Sequence, residues 1–229
     1  MANRWIDPEE IRRAINLLKP NNEIYECRII SRHGKILSGY FRGPDKLIEA
    51  LARQDLEGCN VYFTLQKLHE GVEARLQWER LIDPGKLPTT ADDNVIAYKY
   101  LPVDVDPVRP AGISSSAEEL EAAERVRQAV LDCMTENGYT SRIEAFSGNG
   151  YHILFRLPEV VQKSGDAAWH MKNALSWLND MCSTKAARVD LTNYNPARIF
   201  KLYGTLAQKG RNTADRPHRM ARIEKVVDW

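Results

Sequence analysis

The stretch Leu101-Pro102-Val103-Asp104-Val105-Asp106 alternates apolar and acidic side chains. Successive side chains of a β-strand point to opposite faces, so residues two apart share a face and lie about 6.6 Å apart. We therefore expect Val103 and Val105 to enter the core, and Asp104 and Asp106 to project together from the opposite face. Two carboxylates held together repel each other unless a cation lies between them, and Mg²⁺ and Mn²⁺ prefer such oxygen ligands. The alternative is a strand end with two solvated aspartates.

The elements around this strand predict the order β-α-β-β-α-β. The strand itself covers residues 96–106, and a capping box at 116–119 begins a helix that Asn137-Gly138 ends. Two strands, a second helix and a final strand follow over residues 142–147, 151–157, 168–182 and 198–203. This order is the split βαβ pattern of ferredoxin-like and RNA-recognition-like sheets. Such a sheet carries helices on one face and leaves the other face open for ligands.

The beginning of the chain predicts a smaller α-β-β-α-β unit. Asp7 is a suitable N-cap and Pro8 suits the first helical position, so a helix begins there. Strand patterns follow at residues 24–30, 36–42 and 61–65, with a helix from about Pro44 before the last strand.

Together these patterns predict an α+β protein of two units. Residues 1–95 form an N-terminal α/β module with its connecting segment, and residues 96–229 form the RNA-recognition-like module packed against it. The connecting segment, residues 66–94, is polar and broken by glycine and proline, with a short helix near 76–81.

A hairpin is predicted at Ser147-Gly148-Asn149-Gly150-Tyr151-His152, between two strand patterns. Asn-Gly at its centre is the strongest short hairpin signal. If Asn149 and Gly150 form the turn, Ser147 pairs with His152, and both share the face that carries the aspartates. The glycines at the tip leave backbone N–H groups open to a phosphate. The alternative is an ordinary hairpin with a satisfied surface histidine.

A late aspartate and a basic segment complete the set of candidate residues. Asp190 follows an apolar residue and is a candidate third carboxylate. Arg198, Lys201 and Lys209 are candidate phosphate ligands, Arg through a bidentate fork and Lys as a point charge. The alternative is a capping aspartate followed by a solvated basic strand.

Composition excludes several classes of protein. The chain has 229 residues, 43% of them hydrophobic and 28% charged, which is typical of an ordinary globular protein. It has no apolar run near the roughly 18 residues that span a bilayer and no signal-peptide pattern, so we expect a cytoplasmic protein. Its four cysteines form no C-x-x-C pair, so neither a zinc site nor a disulfide framework is expected.

The net charge of +1 is unevenly distributed along the chain. From residue 185 onward there are ten Lys or Arg and four Asp or Glu, so the preceding part of the chain is net negative. A basic segment after an acidic body suggests a polyanionic partner, although a solvated charged face is the simpler explanation.

These motifs, in this order, resemble those of the archaeo-eukaryotic primase superfamily. Its members carry an hhhDhD strand, an SGxGxH-type hairpin, and a late hD followed by a basic strand. In this chain they lie at residues 101–106, 147–152, and 189–190 with 198–203. The N-P-A-R…G-T…K-G run from residue 195 to 210 is similar to primase-polymerases of plasmids, phages and other mobile genetic elements, including CRISPR-associated ones.

The chain departs from many members of that family. It lacks the cysteine cluster of their zinc insert and the G-x-x-x-x-G-K-[ST] motif of their fused helicase. The resemblance therefore implies either a stand-alone polymerase core or a catalytic domain cut out of a longer replication protein. The ending soon after a basic strand favours the second expectation.

The resemblance also implies an activity and a role for each candidate residue. The chain would be a DNA primase and polymerase that joins nucleotides by a two-metal mechanism with release of pyrophosphate. Two Mg²⁺ or Mn²⁺ ions would be held by the catalytic residues Asp104, Asp106 and Asp190. The incoming NTP or dNTP would be bound by Ser147, Gly148, Asn149, His152, Arg198 and Lys201. A single-stranded or primed DNA template would be followed by Lys209, Arg211, Arg216, Arg219 and Arg222. A helicase or another domain of a longer replication protein is the further partner implied.

Two other functions fit parts of the pattern. A metal-dependent phosphoesterase would use the same Asp and His set, and would shorten DNA where a polymerase lengthens it. A non-catalytic RNA-recognition-like module would bind bases on aromatic residues without metal. This second alternative is disfavoured because an acidic open face repels nucleic acid unless metal covers it.

Overall fold

A computed structural model describes residues 4–229, apart from the side chains of residues 158–160, so residues 1–3 of the predicted N-terminal module lie outside the described residues. The helices are α1 (Pro8–Leu18), α2 (Asp45–Ala52), α3 (Ala117–Glu136) and α4 (Gly165–Cys182). The strands of the first part are β1 (Tyr25–Ser31), β2 (Ile36–Phe41), β3 (Cys59–Thr64) and β4 (Lys67–Leu68). Those of the second part are β5 (Val95–Pro107), β6 (Arg142–Phe146), β7 (Tyr151–Gln162), β8 (Ala187–Val189), β9 (Ile199–Lys201), β10 (Leu206–Ala207), β11 (Arg219–Met220) and β12 (Arg222–Val227). Short 3₁₀ turns lie at Pro20–Asn22, Glu70–Ala74 and Asp92–Asn94.

The helix starts follow the capping signals in the sequence. The Asp7 carboxylate accepts hydrogen bonds from the backbone N–H groups of Glu9 and Glu10, at 3.1 and 3.2 Å. Ser116 and Glu119 form the predicted capping box at the start of α3. Both helices therefore begin where side-chain oxygens satisfy the first free amides of the helix.

The second sheet has the order β12-β6-β7-β5-β4, with β8 paired to the far end of β5. Its pairings are antiparallel, and α3 and α4 connect β5 to β6 and β7 to β8. The chain thus runs β-α-β-β-α-β, but the last strand is β8 rather than the predicted strand at residues 198–203. The mixture of helices with antiparallel sheets agrees with the α+β class.

The predicted final strand at residues 198–203 belongs to the other sheet. That sheet has the order β2-β1-β3-β9, and Tyr62 of β3 pairs with Lys201 of β9. Placing this strand in the second sheet was wrong because its apolar pattern predicts a buried strand and does not specify which neighbour it pairs with. As a consequence, the segment after Asp190 brings the N-terminal sheet beside the aspartates.

The connecting segment also differs from the expectation. No helix forms at residues 76–81; instead, Trp78 and Ile82 make isolated bridges to Tyr40 and Ser38 of the edge strand β2. The reason is that β2 leaves backbone groups unpaired at the sheet edge, and the segment satisfies them.

The second sheet has a hydrophobic core on each of its two faces. On one face, Val103, Val105 and Ile153 pack against α3 and α4. On the other face, Ala145 and Leu154 pack in a core shared with α1 and the N-terminal sheet. The face expected to be open is therefore partly covered, and the functional residues lie where the two sheets diverge. Within residues 4–229, no helix combines the length and the apolar character needed to cross a bilayer.

Candidate active site

A pocket of about 300 Å³ opens between the two sheets, and we call it the aspartate pocket. It is lined by side chains from each of the motifs singled out in the sequence. These are Asp104, Asp106, Ser147, Asn149, His152, Asp190, Arg198, Lys201 and Lys209. Asn60 and Tyr62 of β3, and Asn193, also line it, and sequence reasoning missed them. Only the unpredicted pairing of β3 with β9 brings residues so distant in sequence to this pocket.

The three aspartates are brought together by strand pairing. Asp104 and Asp106 alternate on β5 with the buried Val103 and Val105, as the sequence predicts. Asp190 follows β8, and its backbone N–H donates to the carbonyl of Asp104 at 2.8 Å. The late aspartate therefore lies beside the first of the pair.

The pKa of the Asp104 carboxylate is strongly perturbed. Burial raises its pKa well above the ordinary value, and the negative charges of Asp106 and Asp190 raise it further. Its Oδ1 atom is buried and makes no hydrogen bond within the described residues. An unpartnered buried carboxylate oxygen is unfavourable, so this oxygen is suited to a ligand of positive charge.

The other two aspartates have different partners. The Oδ1 atom of Asp106 lies 3.3 Å from the Arg109 guanidinium. The Oδ1 atom of Asp190 accepts from the backbone N–H and the hydroxyl of Thr192, both at 2.8 Å. Among the side chains that the structure describes, no group of three His, Cys, Asp or Glu residues is arranged to hold a metal ion. The set of oxygen donors fits hard divalent cations.

His152 is held by one ring nitrogen and presents the other to the pocket. Its Nδ1 lies 2.9 Å from the hydroxyl of the buried Tyr203, and its Nε2 lies 3.6 Å from Asp104 Oδ1. Burial lowers the His152 pKa to about 3, so the ring is neutral. Burial raises the Tyr203 pKa well above its ordinary value, so the hydroxyl keeps its proton. We assign the hydroxyl as donor to Nδ1, which leaves the ring proton on Nε2, facing the pocket.

The loop of the hairpin is longer than predicted. His152 pairs with Ala145 and Tyr151 with Phe146, so the loop has four residues, 147–150, and the predicted pairing of Ser147 with His152 is wrong. The reason is that the Ser147 hydroxyl accepts from the Gly150 N–H at 3.0 Å, and its own N–H donates to the Gly150 carbonyl at 2.9 Å. The partner of His152 is Ala145 instead of Ser147, a shift of two residues. Because side chains two apart on a strand share a face, His152 keeps its predicted face.

The loop packs closely against its surroundings. A Cβ atom on Gly150 would lie 2.4 Å from the carbonyl oxygen of Val105, which only glycine avoids. Asn149 is buried, and its side-chain oxygen accepts from the Ser115 N–H at 2.9 Å. The loop thereby fixes the floor of the pocket beside the aspartates.

The opposite side of the pocket is basic. Burial, together with the charge of Lys209, lowers the Lys201 pKa to about 7, and the Lys201 ammonium donates to the Leu206 carbonyl at 2.9 Å. Arg198 donates through Nε to Asn193 Oδ1 at 3.1 Å and lies 3.4 Å from Asp190. An anion in the pocket would stabilise the charged form of Lys201.

The remaining predicted nucleic-acid ligands are dispersed over the surface. Arg211 lines a different pocket, and Arg216 forms a bidentate pair with Glu119 at 2.7 and 2.9 Å. Arg219 donates to the Ser115 carbonyl at 2.8 Å. Arg222 pairs with Glu224 at 2.9 Å and covers the Phe146 ring. Of the predicted template ligands, Lys209 alone lies at the aspartate pocket.

Solved structures of primases and polymerases share this fold. Primase RepB' matches with a TM-score of 0.53 and 12% identity, over 96% of this chain and 56% of that one. The AEP domain of the cyanophage S-2L primase-polymerase matches with a TM-score of 0.55 and 16% identity, over 96% and 91% of the two chains. The polymerase domain of Mycobacterium tuberculosis ligase D, solved with DNA, matches with a TM-score of 0.52 and 15% identity, over 93% and 79%.

The chain thus shares its fold with these solved primase, primase-polymerase and polymerase domains. The chain spans little more than half the length of RepB' but nearly all of the cyanophage domain. No protein-family model and no curated protein matches the sequence.

Proposed function

We propose that this protein is a template-dependent nucleotidyltransferase, a primase-polymerase that joins nucleotides and releases pyrophosphate. The observation that carries the proposal is the Asp104 carboxylate: its Oδ1 atom is buried and unpartnered, and the charges of Asp106 and Asp190 disfavour its ionised form. In a fold shared with primases and polymerases, such a group is suited to holding a divalent cation.

Asp104, Asp106 and Asp190 are the residues that we assign to two Mg²⁺ or Mn²⁺ ions. When bound, the ions supply neutralising charge at the attacking and leaving oxygens of a phosphoryl transfer. The chain contributes the adjacent strands β5 and β8, which hold the three carboxylates within one pocket.

The basic side of the pocket is assigned to the incoming NTP or dNTP. His152 donates its Nε2 proton to a phosphate oxygen. Ser147 and Asn149 line the pocket beneath it, and Gly148 joins these two hairpin residues. Arg198 and Lys201 neutralise negative charge that builds on the phosphates in the transition state. The acidic and basic sides of one pocket thus match a reaction between a hydroxyl group and a triphosphate.

The template we propose is DNA. RepB' was also solved in complex with initiator DNA, and the ligase D domain with DNA. The run from residue 195 to 210 and the likeness to a cyanophage enzyme favour the mobile-element type of primase-polymerase. A helicase or a further domain of a longer replication protein is the partner that this type implies.

The test is to incubate the protein with single-stranded DNA, primed or unprimed, labelled NTP or dNTP, and Mn²⁺ or Mg²⁺, and to size the products. We expect lengthened strands in at least one combination. Strands that shorten would establish the phosphoesterase alternative. Binding of DNA with no change in length would favour the non-catalytic module.

A further inference from the structure

A second pocket lies behind one wall of the aspartate pocket. The wall is the segment of residues 206–210, which we call the wall segment. Its residues alternate between the two pockets: Ala207 and Lys209 line the aspartate pocket, and Leu206, Gln208 and Gly210 line the other. This alternation is the two-residue period of an extended chain.

The second pocket is larger and carries an excess of positive charge, and we call it the arginine pocket. Its volume is about 830 Å³, within the range of roughly 300–1,000 Å³ that is common for ligand sites. Arg4, Arg32 and Arg211 line it, together with a single carboxylate, that of Glu57. The three arginines are far apart in the sequence, and folding brings them to one pocket.

Unlike several other arginines of the protein, these three have no carboxylate partner among the described residues. Arg42 and Arg216 are paired with Glu70 and Glu119. Within residues 4–229 none of the arginines of the arginine pocket forms such an ion pair; the Arg4 guanidinium lies over the Trp5 ring at 4.1 Å from its centroid. Their charges remain available to an anionic ligand.

The wall segment is rigidly attached to the N-terminal sheet. Asn60 donates to the Gln208 carbonyl at 3.0 Å and accepts from the Gln208 N–H at 2.9 Å. The Gln208 side chain donates to the carbonyls of Leu56 and Cys59 and accepts from the Gly58 N–H. The wall segment, held in this way, separates the arginine pocket from the aspartate pocket.

We propose that the arginine pocket binds the phosphodiester backbone of a single nucleic-acid strand. This inference rests on the proposed function and locates the strand on the protein. A strand carries its charges at intervals along its length, which suits guanidinium groups spread around a pocket. The Trp5 ring, which packs against the core and lies under the Arg4 guanidinium, adds an apolar surface to this basic pocket.

The test replaces Arg4, Arg32 and Arg211 by Gln and measures the affinity for a fluorescent single-stranded DNA at several salt concentrations. Each phosphate contact on a single strand contributes about −0.7 to the log–log salt slope, so the slope should become shallower by about 2. At about 0.1 M salt the affinity should fall on the order of 10- to 100-fold.

A matched control replaces Arg53, Arg80 and Arg125 by Gln. These are exposed arginines outside both pockets, and this variant should keep the parent's salt slope. Equal slopes for the parent and the triple pocket variant would overturn the inference. So would an equal loss of affinity for a free nucleoside triphosphate, which would make the pocket a nucleotide site.

The same experiment separates this inference from the proposed function. If the parent protein incorporates nucleotides while the pocket variant retains the parent's salt slope, the strand lies elsewhere and the function stands. If the parent binds DNA through the arginine pocket and incorporates nothing, the function fails and the strand site stands.

Discussion

The Oδ1 atom of the Asp104 carboxylate is buried and has no hydrogen-bond partner among the described residues. Burial and two neighbouring negative charges disfavour its ionised form, so its charge costs stability unless a cation is present. Asp104 therefore lowers the stability of the metal-free protein but is well suited to bind a cation.

Replacing Asp104 by Asn should separate these two effects. Without metal, the variant should unfold at the same temperature as the parent or higher, because the buried charge is gone. With Mn²⁺ at about 100 times its Kd, the parent should gain about 2.7 kcal/mol from binding, and the variant should gain little. Thermal unfolding with and without Mn²⁺ measures both. An equal gain in the variant would remove Asp104 from the metal site, and the exposed Asp132→Asn serves as the control that keeps the gain.

Tyr203 positions His152 through the hydrogen bond to Nδ1. Tyr203→Phe removes the donor, so the ring proton is no longer fixed on Nε2 and affinity for a nucleoside triphosphate should fall. A hydrogen bond of this kind is worth about 1 kcal/mol net, which corresponds to roughly a fivefold change. His152→Ala should likewise weaken triphosphate binding more than DNA binding.

Tyr25→Phe is the matched control for this prediction. It removes an equally buried hydroxyl that donates to the Gly43 carbonyl at 2.6 Å, away from the pocket. Calorimetric titration with a triphosphate should distinguish the two variants. If both bind the triphosphate like the parent, Tyr203 and His152 form only a core contact.

At the scale of the elements, Lys19 is the buried C-cap residue of α1. Its buried ammonium donates to the carbonyls of Leu65 and Gln66 at 2.8 and 2.9 Å, and burial lowers its pKa to about 7 from 10.5. Between these two values the unfolded chain binds more protons than the folded one, so the free energy of unfolding should rise with pH.

Lys19→Met should remove the contribution of this one titrating group to the pH dependence of the free energy of unfolding. Between pH 7 and 8.5 the slope should drop by up to about 1.4 kcal/mol per pH unit. Urea unfolding at several pH values measures this, with the exposed Lys35→Met as the control whose slope stays that of the parent. A Lys19→Met slope equal to that of the parent would mean that the ammonium is not destabilised by burial.

The elements also show where sequence patterns succeed. The alternation in β5 predicts both the buried valines and the face of the aspartates, because a period of two is a local property. The capping box at Ser116 predicts the start of α3 for the same reason. The predicted length of the hairpin loop was wrong because the Ser147 hydroxyl accepts a hydrogen bond from Gly150 and closes a four-residue loop. The Asn-Gly pair alone does not indicate this hydrogen bond.

At the scale of the whole molecule, the site depends on which strands pair. The placement of β9 beside β3 brings Asn60 and Tyr62 to the aspartates, and no local pattern contains that information. The same holds for the basic residues after residue 209, whose excess charge is visible in the sequence. Their division into ion-paired residues such as Arg216 and pocket residues such as Arg211 appears only in the folded chain.

The measurement that tests the central claim most directly is nucleotide incorporation by Asp104→Ala and Asp106→Ala. Labelled nucleotide, primed single-stranded DNA and Mn²⁺ are supplied, and circular dichroism confirms that each variant is folded. We predict that the parent and the exposed Asp132→Ala control lengthen the primer, and that both pocket variants fail to do so. A pocket variant that extends the primer at the parent's rate would contradict the assignment of these carboxylates to nucleotidyl transfer.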